Sequence, residues 1–236
     1  MISIIIPVYN QAEKIITTLK SIEAQTFRDY EVIIVNDGSK DNLDELFSNF
    51  LKTTKIENNY LFLNQENKGA PSARNRGFRE VSGEYLFFCD ADAVLKPDAL
   101  ELLYNTLVAN PESAYAYSSF YWGKKLFKVG VVDEARLKKA PCIHTMALIR
   151  LRDFPSTAWD ESIKKLQDWD LWLSILDEKG RLGVFIDKPL FAVSPGGTIS
   201  SWLPSFAYKL FPFLPRVKKY KEALRIVKEK HGIYFS

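Results

Sequence analysis

Met1-Ile2-Ser3-Ile4-Ile5-Ile6-Pro7-Val8-Tyr9-Asn10-Gln11 opens the chain and decides its architecture. The β-branched run Ile2–Val8 is too short for a buried helix and predicts a strand covered on both faces, as in a parallel sheet. Working outward, similar runs recur at Tyr30–Val35, Tyr60–Leu63 and Tyr85–Cys89. Between them, amphipathic segments predict helices at about 11–25, 41–54 and 70–81, with another after Pro97; Asn10 and Glu13 form a candidate capping pair for the first. Strands alternating with helices define an α/β fold, a mostly parallel sheet flanked by helices. Right-handed crossovers then put the loops after strands one, two and four at one carboxyl edge, where open α/β sheets bind ligands.

The loop Pro7-Val8-Tyr9-Asn10-Gln11 has no glycine. A dinucleotide-binding turn needs Gly-x-Gly-x-x-Gly there so that backbone can approach a pyrophosphate, and an ordinary Rossmann dehydrogenase is therefore disfavoured. Phosphates must be handled by other groups. Asp90-Ala91-Asp92, directly after the apolar run Tyr85–Cys89, offers two hard carboxylate ligands for Mg²⁺ or Mn²⁺, the remaining positions being open to phosphate oxygens and water. A solvated acidic turn has the same composition; what favours the metal is that the fourth strand should lie beside the first. Asn36-Asp37-Gly38-Ser39 ends the second strand, where Asp37 can accept from a base edge, although Asp-Gly is also an ordinary turn.

Two further segments carry polar groups toward the same edge. Asn67 to Gly77 runs into a helix whose small residues permit close packing on the sheet, with Arg74 within reach of a diphosphate or Asp90, or else a surface arginine. Gln167-Asp168-Trp169-Asp170-Leu171-Trp172 begins a helix whose Trp169, Trp172, Leu173 and Leu176 make one apolar stripe. Asp168 at its start is a base kept ionised by the helix dipole, or a simple N-cap. After about residue 112 the pattern becomes irregular, with a hairpin expected around Trp122-Gly123.

Together these segments, in this order over residues 2–200, resemble the inverting family 2 of nucleotide-sugar glycosyltransferases, which have the GT-A fold. The resemblance implies that Pro7, Tyr9 and Asp37 surround the nucleobase and ribose. It implies that Arg74, Asp90 and Ala91 border the ribose and diphosphate, that Asp92 holds Mn²⁺ or Mg²⁺ with Asp90 nearby, and that Asp168 is the catalytic base. Two departures stand out. Asn36 replaces the first acid of the family's usual Asp-Asp-Gly-Ser, and Ser194 takes the place of a histidine that often contacts metal or phosphate. Without Gln-x-x-Arg-Trp, transfer of single sugars is expected rather than processive synthesis. A non-catalytic nucleotide-sugar binding module and a sugar nucleotidyltransferase are the rival readings, the second disfavoured by the lack of a Gly-rich, Arg-containing loop after strand one.

Composition frames the rest. In 236 residues, 47% are hydrophobic and 26% charged, enough for a substantial core and against disorder. The net charge of +3 is too small to imply a nucleic-acid partner. It hides an asymmetry: from Ser201 onward eight Lys or Arg stand against two Glu, leaving the first 200 residues at −3. The expected organisation is therefore a catalytic domain over 1–200, divided into a nucleotide-sugar half (1–111) and an acceptor half (112–200), followed by a basic, aromatic helical tail over 201–236. Trp202, Leu203, Phe206, Tyr208, Leu210, Phe211, Phe213 and Leu214 lie in that tail beside the basic helix, a combination suited either to peripheral contact with an anionic membrane or to packing on the domain. Cys89 and Cys142 lack metal spacing and read as reduced, which, with no signal-like start and no run of about 18 apolar residues, leads us to expect a cytoplasmic protein, peripheral on the inner membrane face, meeting a saccharide or lipid-linked acceptor.

Overall fold

The isoleucine-rich strand β1 (Ile2–Val8) runs parallel between β2 (Tyr30–Asp37) and β4 (Tyr85–Phe88), so that Ile4 sits between Val32 and Phe87. Ile2, Ile4, Ile5 and Ile6 are all fully buried, as a strand covered on both faces requires. The computed structural model describes residues 1–54, 56, 59–195 and 213–233. Within them β3 (Tyr60–Gln65) pairs parallel with β2, and β1, β2 and β4 end at one edge of the sheet. The expected strands and helices are all present with small changes of boundary: α1 is Ala12–Glu23, α2 Leu43–Leu51, α3 Ala70–Phe78 and α4 Ala99–Ala109.

Beyond β4 the sheet becomes mixed. The remaining strands are β5 (Ala93–Leu95), β6 (Tyr115–Trp122), β7 (Lys125–Phe127), β8 (Leu148–Arg150) and β9 (Gly183–Val193). The order is β3-β2-β1-β4-β8-β6-β9-β5, with β7 on β6. The first four strands are all parallel; beyond them β4 and β6 each pair antiparallel with β8, β6 pairs parallel with β9, and β5 pairs antiparallel with β9. The expected hairpin exists, with Trp122 opposite Lys125 around Gly123 at φ +55°.

Helices α5 (Glu134–Lys139) and α6 (Gln167–Lys179) form the other wall of the site. On α6 the predicted stripe is core: Trp169, Trp172 and Leu173 are fully buried, and the two indole N–H groups donate to the carbonyls of Leu137 (2.6 Å) and Ile143 (3.1 Å). Helix α7 (Pro215–Lys230) buries Val217, Ala223 and Val227. Its position gives the basic segment a packed face, whereas the boundary near Ser201 and the aromatic residues from Trp202 to Phe211 lie outside the described residues.

The capping pair expected at Asn10 and Glu13 does not form. The N-cap of α1 is Gln11, which makes no side-chain cap bond, and Asp41 Oδ2 instead accepts from Ala12 N–H (2.9 Å). Asn10, at φ +51°, is engaged across the cleft: its N–H donates to Ser39 Oγ and its Oδ1 accepts from Lys40 N–H. The loops after β1 and β2 are therefore stitched to each other, a long-range contact that local capping rules do not contain.

Candidate active site

At the carboxyl edge of the parallel strands lies a cavity of about 890 Å³. Its lining includes Pro7, Tyr9, Asp37, Arg74, Asp90, Ala91, Asp92 and Asp168, so every residue expected in the site is brought to one place. Ser194 is there as well, its N–H donating to the Asp92 carbonyl (3.1 Å).

Each position follows from the local fold. Asp37 ends β2, and its carboxylate holds the following loop: Oδ1 accepts from Gln65 Nε2 (2.7 Å) and Lys68 N–H (2.9 Å), and Oδ2 from Gly69 N–H (2.8 Å). The left-handed Gly38 (φ +71°) permits this closeness, since a Cβ there would meet Asn67 N at 2.8 Å. Asp37 also lines the cavity, and a single hydrogen bond to Oδ2 leaves that oxygen capacity to accept another.

Arg74 projects from α3. Its guanidinium lies over the Trp159 ring (4.5 Å), with Nη1 3.3 Å from Gln167 Oε1 and Nη2 3.4 Å from Asp90 Oδ1. Its Nε is buried without a hydrogen-bond partner. Burial lowers its pKa, opposed by the charges of Asp90 and Asp168. Such an incompletely satisfied guanidinium facing a cavity suits an anion.

Asp90 and Asp92 flank the turn after β4. Asp92 is 7% exposed, and burial first, the Asp90 charge second, push its pKa up against the pull of Lys14 Nζ 3.5 Å away. Asp168, in the first turn of α6, has its pKa raised by burial despite the opposing influence of His144, its neighbour Trp169 N–H and Arg74. Because α6 begins at Gln167 with Leu166 as N-cap, Asp168 is a first-turn residue rather than the cap. The raised pKa of both acids marks negative charge that the protein alone does not fully compensate.

Sequence reasoning did not find His144 or Lys14. His144 Nε2 lies 3.6 Å from Asp90 Oδ2, with its ring beside Phe120 (4.7 Å) and Phe191 (5.3 Å). Its Nδ1 accepts from Met146 N–H (3.2 Å), which leaves Nε2 as the nitrogen turned toward Asp90. The one available signal was scarcity, because the chain has only two histidines. Lys14 is an ordinary-looking surface lysine of α1 until the fold carries it across to Asp92. Lys164, Lys165 and Tyr220 also line the cavity.

The α/β core and the mixed extension beyond β4 define a GT-A fold, with this acid-lined cavity at its carboxyl edge. Residues 3–157 match the model of glycosyl transferase family 2, and the chain belongs to that family. An uncharacterized glycosyltransferase of Rickettsia conorii is 28% identical over 219 residues, which is 89% of this chain but 35% of that protein; the chain thus spans about a third of its length. In fold it is similar to S. aureus TarS 1–349 in complex with UDP-GlcNAc (TM-score 0.68, 19% identity, 98% of this chain and 72% of that one). It is equally similar to the mannosyltransferase PcManGT from Pyrobaculum calidifontis in complex with GDP-Man and Mn²⁺ (TM-score 0.70, 18% identity, 98% and 67%).

Proposed function

We propose that this chain transfers a single sugar, with inversion, from a nucleotide-sugar donor, a UDP-sugar, to a hydroxyl acceptor in the synthesis of cell-surface polysaccharide or glycolipid. The observation that carries this reading is the convergence of Asp37, Arg74, Asp90, Asp92 and Asp168 on one cavity. Donors bound by neighbours of the same fold, UDP-GlcNAc and GDP-Man, are of this chemical class.

In this reading Pro7 and Tyr9 flank the base, and the spare lone pair of Asp37 Oδ2 accepts a base N–H. Arg74 pairs with the diphosphate. A divalent cation fits the donor set: Asp92 is buried, with its pKa raised by that burial and by the Asp90 charge, and a pair of carboxylates suits an ion whose other ligands are diphosphate oxygens and water. Asp92 would hold it directly, with Asp90 beside it. Bound there, Mn²⁺ or Mg²⁺ would neutralise charge developing on the leaving diphosphate.

Asp168 takes the acceptor hydroxyl proton as that oxygen attacks the anomeric carbon from the face opposite the diphosphate. The new C–O bond forms, the bond to the phosphate oxygen breaks, and the nucleoside diphosphate leaves with the electron pair. Burial raises the Asp168 pKa, which makes its carboxylate a stronger base. One base without a protein nucleophile gives inversion.

The test is a thermal-shift panel of nucleoside diphosphates and nucleotide sugars, with and without Mn²⁺, followed by assay of nucleoside diphosphate release. Stabilisation that depends on Mn²⁺, followed by release, supports transfer. Stabilisation without release in the presence of saccharide acceptors would mean a binding module, and pyrophosphate-dependent formation of a nucleoside triphosphate would mean a nucleotidyltransferase.

A further inference from the structure

Beside the active-site cavity lies a second one, of about 590 Å³, between α7 and the segment that leads into Asp168. Its apolar lining comes from Ile163, Ala223 and Ile226, the first two buried. Lys164, Lys165, Lys218 and Lys219 complete it. Glu222, the acid among its lining residues, is engaged by Arg225 of the same helix (2.7 Å). Lys165, Lys218 and Lys219 form no ion pair with a described residue, and Lys164 Nζ donates only to the Glu161 carbonyl (2.9 Å).

Two of these lysines are shared. Lys164 and Lys165 line the active-site cavity as well, so the groove opens beside the start of α6, where the base stands. The acidic pair and the basic groove therefore lie on different elements, Asp90 and Asp92 after β4, the four lysines on the 162–165 segment and α7. A neutral sugar chain has no use for four ammonium groups around an apolar lining. A phosphate attached to a hydrocarbon chain matches both features, because its charge pairs with the lysines while the chain covers the half-buried Ile226 above a floor formed by the buried Ile163 and Ala223. The volume falls within the range of small-ligand sites.

We infer that this groove binds the lipid-phosphate portion of a lipid-linked saccharide acceptor and so presents the acceptor hydroxyl to Asp168. The inference rests on the glycosyltransferase reading and names the acceptor class and the place it binds. The occupant is a single lipid-phosphate molecule entering the groove, distinct from a membrane surface touching the basic face of α7.

The experiment uses the full chain and farnesyl phosphate as the probe, with inorganic phosphate, farnesol and phosphatidylglycerol vesicles as comparison arms. Binding is read by calorimetry, and Mn²⁺-dependent binding of the nucleoside diphosphate is measured on the same samples. Farnesyl phosphate should bind more tightly than inorganic phosphate or farnesol. Lys218→Glu/Lys219→Glu should weaken it by at least about 10-fold, the effect of replacing two attractive charges by repulsive ones, while donor binding persists. Ile226→Gln should weaken it with the charges intact, which separates insertion into the groove from adhesion to a basic face. Equal affinity for inorganic phosphate, no loss in either variant, or binding to vesicles alone would overturn the inference. Because donor binding is followed separately, loss of the nucleotide reading would appear as failed Mn²⁺-dependent binding with farnesyl phosphate binding unaffected.

Discussion

His231 Nε2 lies 2.8 Å from Asp170 Oδ1 while its Nδ1 lies 2.6 Å from Asp177 Oδ2, tying the end of α7 to the helix that carries Asp168. Both ring nitrogens face carboxylates, so both must donate, and the ring is an imidazolium. Lys230 adds contacts to Asp170 (2.9 Å) and Asp160 (2.9 Å). Asp170 is buried, and this pair of cations is what makes its charge tolerable there.

This junction makes stability depend on pH. Burial opposes protonation of His231, but the hydrogen bonds and charges of Asp170 and Asp177 outweigh it, and the pKa is raised. A raised histidine contributes its stability in full below the unfolded value near 6.5 and loses it as pH rises through the folded pKa. His231→Gln should lose about 1.5–3 kcal/mol at pH 6, typical for hydrogen bonds to charged groups, and the gap to wild type should narrow at higher pH. Thermal midpoints from pH 5.5 to 9 measure it; a gap that is constant across the range would contradict the imidazolium assignment.

Gly77 lets α3 lie directly on the sheet. A Cβ there would stand 2.6 Å from Ile5 Cγ2 and 3.2 Å from Val35 Cγ2, neither of which can withdraw from a buried strand. Gly77→Ala should therefore destabilise by about 1–3 kcal/mol through overpacking, outweighing the gain in helix propensity of under about 1 kcal/mol. Urea unfolding gives the sign directly, and an alanine variant more stable than wild type would show that α3 has slack.

Asp92→Ala should abolish the Mn²⁺-dependent part of nucleoside diphosphate binding, because the ion loses its direct carboxylate ligand and water competes for the rest. Lys14→Met should act in the opposite direction, removing a cation 3.5 Å from the same carboxylate and tightening Mn²⁺ binding. Calorimetric titration of the nucleoside diphosphate with and without Mn²⁺ checks both. Unchanged affinity in the alanine variant would place the metal elsewhere.

The parallel half of the fold was legible because its signals are local: runs such as Ile2–Val8 and Tyr85–Cys89 admit few other structures, and the expected strands fall within three residues of those found. The placement of the candidate acids was legible for a related reason. Asp37, Asp90 and Asp92 sit just after strands or at their ends, so placing β1, β2 and β4 side by side places them too. What was not legible depends on contacts between distant segments. Lys14 meets Asp92 and His144 meets Asp90 only through tertiary structure, and Asn10 looks like a helix cap until Ser39 and Lys40 engage it. The tail divides similarly, since composition marks it as basic while only the packed structure pairs His231 with Asp170.

The role of Asp168 is the centre of this account, and one comparison addresses it: nucleoside diphosphate release by wild type and Asp168→Asn, with the best donor, Mn²⁺ and a saccharide acceptor, at matched donor occupancy. The amide keeps the shape of the side chain but cannot take up the proton. The account predicts donor affinity unchanged within about 2-fold and turnover lower by about 10²–10⁴, the usual worth of a positioned general base. Turnover falling with pH below the raised pKa of Asp168 in wild type should accompany it. Equal turnover by the two proteins, or a wild type that binds donor and releases no nucleoside diphosphate, would contradict it.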